Sequence, residues 1–200
     1  MSEIRSVCVY CGSSAGRDPS YLQAGDALGR AIAQAGLTLV YGGGNRGIMG
    51  AVAQGAASAG GRISGIIPRF LLNREAGADA PQLAEDLTVV EDMHTRKHMM
   101  FEKSEAFVAL PGGIGTLEEV VEIMTWAQLG RHRKPIVFAN VGGFWSPMLT
   151  LVEHMKAEGF VHNASLVRPL VIDRIEDIVP AIIEAAAPRP EGDERVIEKM

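Results

Sequence analysis

Short apolar runs rich in β-forming residues recur along the chain, separated by longer stretches of mixed polarity. The runs are Val7 to Tyr10, Leu37 to Tyr41, Arg62 to Ile67, Leu87 to Val90, Phe107 to Leu110, Ile136 to Ala139 and Leu170 to Ile172. Nearly all are continuous rather than alternating in polarity, which suits strands buried on both faces. The intervening stretches, at about 20–35, 47–59, 94–105, 117–129, 146–158 and 175–186, read as helices. Strict alternation of strand and helix predicts β-α-β crossovers. The expected fold is therefore α/β, a doubly wound parallel sheet of about seven strands in three α-β-α layers. Such sheets bind ligands outside the carboxyl ends of their strands. One domain over 1–187 is expected, and the proline- and charge-rich segment 188–200 reads as a mobile tail.

Three helices depart from the average. The one at 47–59 is poor in bulk, with Ala51, Ala53, Gly55, Ala56, Ala57 and Ala59, and predicts close helix-to-sheet packing. Those at 94–105 and 117–129 carry Met99, Met100, Phe101, Met124 and Trp126, which read as core or subunit-interface side chains.

Composition narrows the function classes. With 200 residues, 47% hydrophobic and 22% charged, the chain suits one domain with a substantial core. A net charge of -5 argues against nucleic acid or an anionic membrane as the main partner. The local basic cluster Arg131-His132-Arg133-Lys134 reads as a solvated helix end. Cys8 and Cys11 form a C-x-x-C without a second ligand pair, so buried reduced thiols are expected rather than a redox or metal site. No apolar run approaches the roughly 20 residues of a membrane span, and the N-terminus lacks a signal pattern, so a cytoplasmic protein is expected.

Three strands end in glycine-bearing turns. In Cys11-Gly12-Ser13-Ser14 the glycine permits a tight bend, and hydroxyls such as that of Ser13 can donate to an anion. The second turn, Gly42-Gly43-Gly44-Asn45-Arg46-Gly47, spells G-x-G-x-x-G. A dinucleotide site nevertheless fails on context, because the next strand ends Ile66-Ile67-Pro68-Arg69 without the acid that would hold a ribose. No Gly-Lys-Ser/Thr follows, so a P-loop fails too; Gly43 and Gly44 remain contacts for part of a nucleotide. The third turn, Pro111-Gly112-Gly113-Ile114-Gly115-Thr116, joins a strand to a helix N-terminus, where backbone N–H groups and the helix dipole favour phosphate.

A carboxylate sits three residues beyond that turn. Thr116-x-x-Glu119 is a capping-box pattern, in which Thr caps the helix and Glu reaches back to the cap N–H. Those donors cannot serve both a capping carboxylate and a phosphate, so the glycines and the box compete. The stretch Asp92-Met93-His94-Thr95-Arg96-Lys97-His98 reaches the same sheet edge, and a cationic helix start there asks for an anionic partner. His94 and His98 are spaced i, i+4 but have no third ligand at a recognisable spacing, so no metal is expected.

Pro111-Gly112-Gly113-Ile114-Gly115-Thr116-Leu117-Glu118-Glu119 resembles the P-G-G-x-G-T-x-x-E signature of the Lonely guy family, long labelled lysine decarboxylases. Met93-His94-Thr95-Arg96-Lys97 resembles that family's M-H-x-R-K motif. The resemblance implies a Rossmann-like fold and hydrolysis of the N-glycosidic bond of a nucleoside 5'-monophosphate, a cytokinin nucleotide or AMP. It implies a homodimer or larger homo-oligomer and no cofactor. By it Arg96 and Glu119 are the catalytic pair, and Gly112, Gly113, Ile114, Gly115 and Thr116 hold the phosphate. Lys97, Thr125 and Glu75 correspond to further substrate contacts, although Leu71 to Gln82 departs from the family's usual sequence. Two other readings compete: a non-catalytic nucleotide or molybdenum-cofactor carrier, and a decarboxylase holding pyridoxal phosphate on a lysine. Of Lys97, Lys103, Lys134, Lys156 and Lys199, only Lys97 lies near the expected site.

Overall fold

A computed structural model describes residues 4–73, 86–161 and 169–187; Glu75 and the tail at 188–200 lie outside them. The strands are β1 (Ser6–Tyr10), β2 (Thr38–Tyr41), β3 (Ile63–Pro68), β4 (Asp86–Val90), β5 (Ala106–Ala109), β6 (Ile136–Ala139) and β7 (Leu170–Ile172). The main helices are α1 (Ser20–Gln34), α2 (Gly47–Ser58), α3 (Met93–Glu102), α4 (Ile114–Gln128), α5 (Ser146–Ala157) and α6 (Ile178–Ala186). All strand pairs are parallel, in the order β4-β3-β2-β1-β5-β6-β7. The expected seven-stranded, doubly wound architecture is present.

The continuous apolar runs arise because alternate residues of one strand feed two cores. Val7 and Val9 of β1 face α1, α2 and α6, where Leu28, Ile32, Val52 and Ile182 are fully buried. Cys8 and Tyr10 point the other way, toward α3, α4 and α5. Each fully buried aliphatic side chain contributes on the order of 1.5–3 kcal/mol, so a strand exposed on one face would forfeit half of its drive to form.

The small residues of α2 have a different partner from the one expected. They admit α1 rather than the sheet: a Cβ on Gly29 would lie 2.1 Å from the Val52 carbonyl oxygen, and one on Gly55 would lie 2.2 Å from that of Asp26. The strand order reverses at β1, whose neighbours are β2 and β5. Doubly wound sheets open a ligand crevice at such a point. Across it Gly12 N–H donates to the Pro111 carbonyl at 3.0 Å, which draws the first and third glycine turns together.

Candidate active site

Helix α3 opens directly after β4. Asp92 caps it, its side chain accepting the Thr95 N–H at 2.8 Å, so the cationic start expected from sequence has an acid at its own N-terminus. Arg96, one turn in, is buried and reaches back over the sheet edge. Its Nε donates to the Ile66 carbonyl at 3.2 Å and its Nη2 to the Gly42 carbonyl at 3.4 Å. Glycine at 42 leaves room for the guanidinium, since a Cβ there would lie 2.0 Å from Arg96 Nη2 and displace it.

Arg96 meets Glu119. Nη1 lies 3.4 Å from Oε1, and the two side chains are 6% and 9% exposed. Removing one member of a buried ion pair costs about 3–5 kcal/mol, so neither charge is there by accident of surface composition. Beneath them, Cys8 and Tyr10 of β1 are fully buried, and Tyr10 stacks on Phe107 with ring centroids 5.9 Å apart. Burial pushes the Cys8 thiol and the Tyr10 hydroxyl far up, with the Glu119 charge adding to both shifts, so both stay neutral at working pH. The floor under the ion pair therefore carries no competing charge from these two groups.

The capping-box reading of Glu119 is overturned. Helix α4 begins at Ile114, three residues earlier than sequence suggested, with Gly113 as N-cap and no side chain capping it. Thr116 is thus already in the first turn, and Glu119 sits one turn deeper, pointing to Arg96 instead of the cap. The physical reason is packing: the Thr116 side chain fills the space above Gly112, where a Cβ would lie 2.2 Å from Thr116 Oγ1. Gly113, Ile114 and Gly115 are exposed. Among the described residues no loop carbonyl bonds the N–H groups of Ile114, Gly115 or Thr116, and Leu117 N–H begins the helical ladder at the Gly113 carbonyl, 3.0 Å away.

The second glycine turn is filled. Ile48 N–H donates to the Ser14 carbonyl at 3.4 Å and Met49 N–H to that of Gly12 at 3.1 Å, so α2 spends its N-terminal donors on the turn after β1. Gly47, at φ 57°, lets the two backbones touch; a Cβ there would lie 2.4 Å from the Ser14 carbonyl carbon. Gly43 and Gly44 are buried, with Gly44 N–H on the Met49 sulfur at 3.2 Å. Gly12 has both backbone groups engaged, while Ser13 is exposed. The three turns meet, and among their helix termini the third presents uncapped donors.

The remaining expected residues divide. Lys97 joins the cluster, its Nζ 2.5 Å from Glu118 Oε1 and 3.1 Å from Glu122 Oε1. Thr125 lies nine residues past Thr116, about 13 Å along the helix at about 1.5 Å per residue, and donates its hydroxyl to the Val121 carbonyl at 2.8 Å. Val121 and Thr125 of α4 and its C-cap residue Leu129 form an exposed stripe. His94 and His98 are exposed, and among the described residues no group of three metal-ligating side chains gathers.

Two groups escaped the sequence reading. Glu118 and Glu122 stand i, i+4, where like charges repel unless a cation lies between them; that spacing was the available signal. The basic cluster at 131–134 is only partly a solvated helix end. His132 is buried with Nε2 2.8 Å from the Ile123 carbonyl, and Lys134 donates to the Phe101 carbonyl at 2.8 Å while lying 3.8 Å over the Phe101 ring centroid.

Lys97 does not suit a pyridoxal phosphate Schiff base. Burial pulls the Lys97 ammonium down, but its bonds to Glu118 and Glu122 outweigh that and raise it, which favours the protonated state that cannot form a Schiff base.

A family model described as "Possible lysine decarboxylase" matches residues 49–182. The chain is 44% identical over 160 residues to cytokinin riboside 5'-monophosphate phosphoribohydrolase LOG7 of Arabidopsis thaliana, covering 80% of this chain and 72% of the relative. It is 43% identical over 182 residues to the cytokinin riboside 5'-monophosphate phosphoribohydrolase of Rhodococcoides fascians, covering 89% of each. Among solved structures, the molybdenum cofactor carrier protein of Chlamydomonas reinhardtii aligns with TM-score 0.68 at 21% identity, over 92% of this chain and 98% of that one. The molybdenum cofactor binding protein of Rippkaea orientalis aligns with TM-score 0.66 at 20% identity, over 92% and 98%. At such identities these two share the fold alone.

Proposed function

The chain belongs to the Lonely guy family, and on that premise we propose that it is a phosphoribohydrolase. It cleaves the N-glycosidic bond of a nucleoside 5'-monophosphate, an N6-modified adenine cytokinin nucleotide or AMP, to free base and ribose 5-phosphate. The observation that carries this reading is the buried Arg96–Glu119 pair at 3.4 Å, one turn into a helix whose N-terminus has no side-chain cap among the described residues.

Breaking a ribosyl bond develops positive charge at the anomeric carbon, so an ionised carboxylate beside that carbon stabilises the transition state and can take a proton from the attacking water. Phosphate bound by the N–H groups at Gly112 to Thr116 anchors the ribose, turning binding energy remote from the bond into orientation. Arg96, with Nη1 3.4 Å from Glu119 Oε1, aims the carboxylate. It cannot itself serve as a base, since its guanidinium stays protonated.

The carrier reading is weaker. It needs the phosphate cradle but gives the buried ion pair no task, and relatives above 40% identity are named as phosphoribohydrolases. Among the described residues no helix is long and apolar enough to cross a membrane. The protein works as a cytoplasmic homodimer in this reading, with the exposed stripe of Val121 and Leu129 as the surface a second copy would cover. Incubation with AMP and with N6-prenylated AMP, followed by chromatography for free base, tests the activity. Binding of either nucleotide without base release would favour the carrier.

A further inference from the structure

Helices α3 and α4 each supply one half of the proposed catalytic pair, and a second set of charges joins them. Lys97 follows Arg96 on α3; Glu118 and Glu122 flank Glu119 on α4. Lys97 Nζ bridges the two flanking acids, at 2.5 Å and 3.1 Å. Its side chain is 10% exposed while that of Glu118 is 51% exposed, so the acids come in from solvent to a lysine held in place. Farther along the same two helices, Phe101 meets Trp126 edge to face at 4.8 Å. The pair Arg96–Glu119 thus lies beside a charged tie at one end and is backed by an aromatic contact at the other.

We propose that Lys97 is a positioning residue, which ties α3 to α4 through Glu118 and Glu122 and so holds the Arg96 guanidinium on Glu119. This rests on the reading of Arg96 and Glu119 as the catalytic pair. It replaces the substrate contact that family resemblance implies for Lys97. Two of the three ammonium donors are already spent on carboxylates, and an approaching phosphate would meet two acidic charges before it met the lysine. Glu118 and Glu122 stand i, i+4, where like charges repel, and the Lys97 ammonium bridges them.

The test compares Lys97→Met, the double variant Glu118→Gln/Glu122→Gln and the triple combination with wild type. Turnover of AMP is followed by base release, and ribose 5-phosphate affinity by calorimetry. The expected result is a kcat lower by up to about 100-fold in Lys97→Met, the scale of a misplaced catalytic group, with ribose 5-phosphate Kd within about twofold. The double variant should lose a similar factor, the triple variant no more than either, because all three break one tie. Lys97→Arg should restore most of the turnover. If Lys97→Met does not fold, the double variant carries the same test. A tenfold or larger rise in ribose 5-phosphate Kd in Lys97→Met, with full turnover in the double variant, overturns the proposal in favour of a substrate contact. Full kcat in Lys97→Met overturns it as well. Base release absent from wild type overturns the hydrolase reading and the tie with it, whereas release from wild type isolates failure to the tie.

Discussion

The turns after β2 and β5 are written in nearly the same letters, and they do opposite things. Each is a glycine-rich stretch at the carboxyl end of a buried strand, and each opens a helix. At α2 the donors of Ile48 and Met49 are bonded to the carbonyls of Ser14 and Gly12, so the turn is a joint between two loops. At α4 the cap is Gly113, and among the described residues no side chain closes it. The sixth residue makes the contrast sharper: in α4 it is Glu119, paired with Arg96, and in α2 it is Val52, fully buried against α1. A glycine pattern specifies only that backbones or ligands approach closely. Whether the approaching partner is another loop or an anion is decided by which N–H groups the rest of the fold leaves over.

If the site belongs to α4, the largest effect should come from its carboxylate. Glu119→Gln is expected to lower kcat for base release by about 10³-fold, in the range for loss of a positioned acid–base group, while AMP still binds. Turnover per folded molecule is the quantity to read, because Arg96 loses its partner and stability falls as well. Turnover that held at the wild-type level would remove the distinction between α4 and α2.

The next effect tests the donors themselves. A Cβ on Gly113 meets nothing within 4 Å, and the residue is extended at φ -92°, so aspartate fits there as an N-cap. Gly113→Asp should raise helix stability by a few tenths of a kcal/mol. It should weaken ribose 5-phosphate at least about tenfold, since the new carboxylate takes the N–H groups and repels the anion. Calorimetry with unchanged affinity would place the phosphate elsewhere.

Much of this contrast could not be seen in the sequence, for physical reasons. The seven strands and six helices were legible because burial on both faces leaves continuous apolar runs, and the Arg96 and Glu119 motifs were legible as spacing. The start of α4 was misread because Gly113-Ile114-Gly115 has poor helix propensity; Thr116 packing over Gly112 decides it, and that contact is tertiary. The capping-box pattern at Thr116 was locally sound and lost to the same packing. Likewise, His132 and Lys134 looked like solvent-exposed charges until Phe101, far away in sequence, supplied the ring and carbonyl they rest on. Local spacing showed which residues carry chemistry; which donors were already spent depended on loop-to-loop contacts.

The joint at α2 should break differently from the site at α4. Gly47 has φ 57° and no room for a methyl against Ser14. Gly47→Ala is expected to cost about 1–3 kcal/mol in chemical denaturation, with ribose 5-phosphate affinity disturbed less than in Gly113→Asp. Intact stability with lost binding would mean that the α2 turn holds ligand after all.

The smallest expected effect is the most direct control. Arg46 is the N-cap of α2, extended at φ -110° and exposed, so aspartate is as admissible there as at Gly113. Its carboxylate, however, would find the Met49 N–H already given to Gly12. Arg46→Asp should therefore change stability by no more than about 0.5 kcal/mol and leave ribose 5-phosphate Kd within about twofold, a residual set by screened charge alone. Two aspartates at equivalent caps, one weakening phosphate binding at least about tenfold and one ignored, would establish that donor availability rather than glycine content locates the anion. Equal losses at both caps would show instead that the ligand spans the two helices.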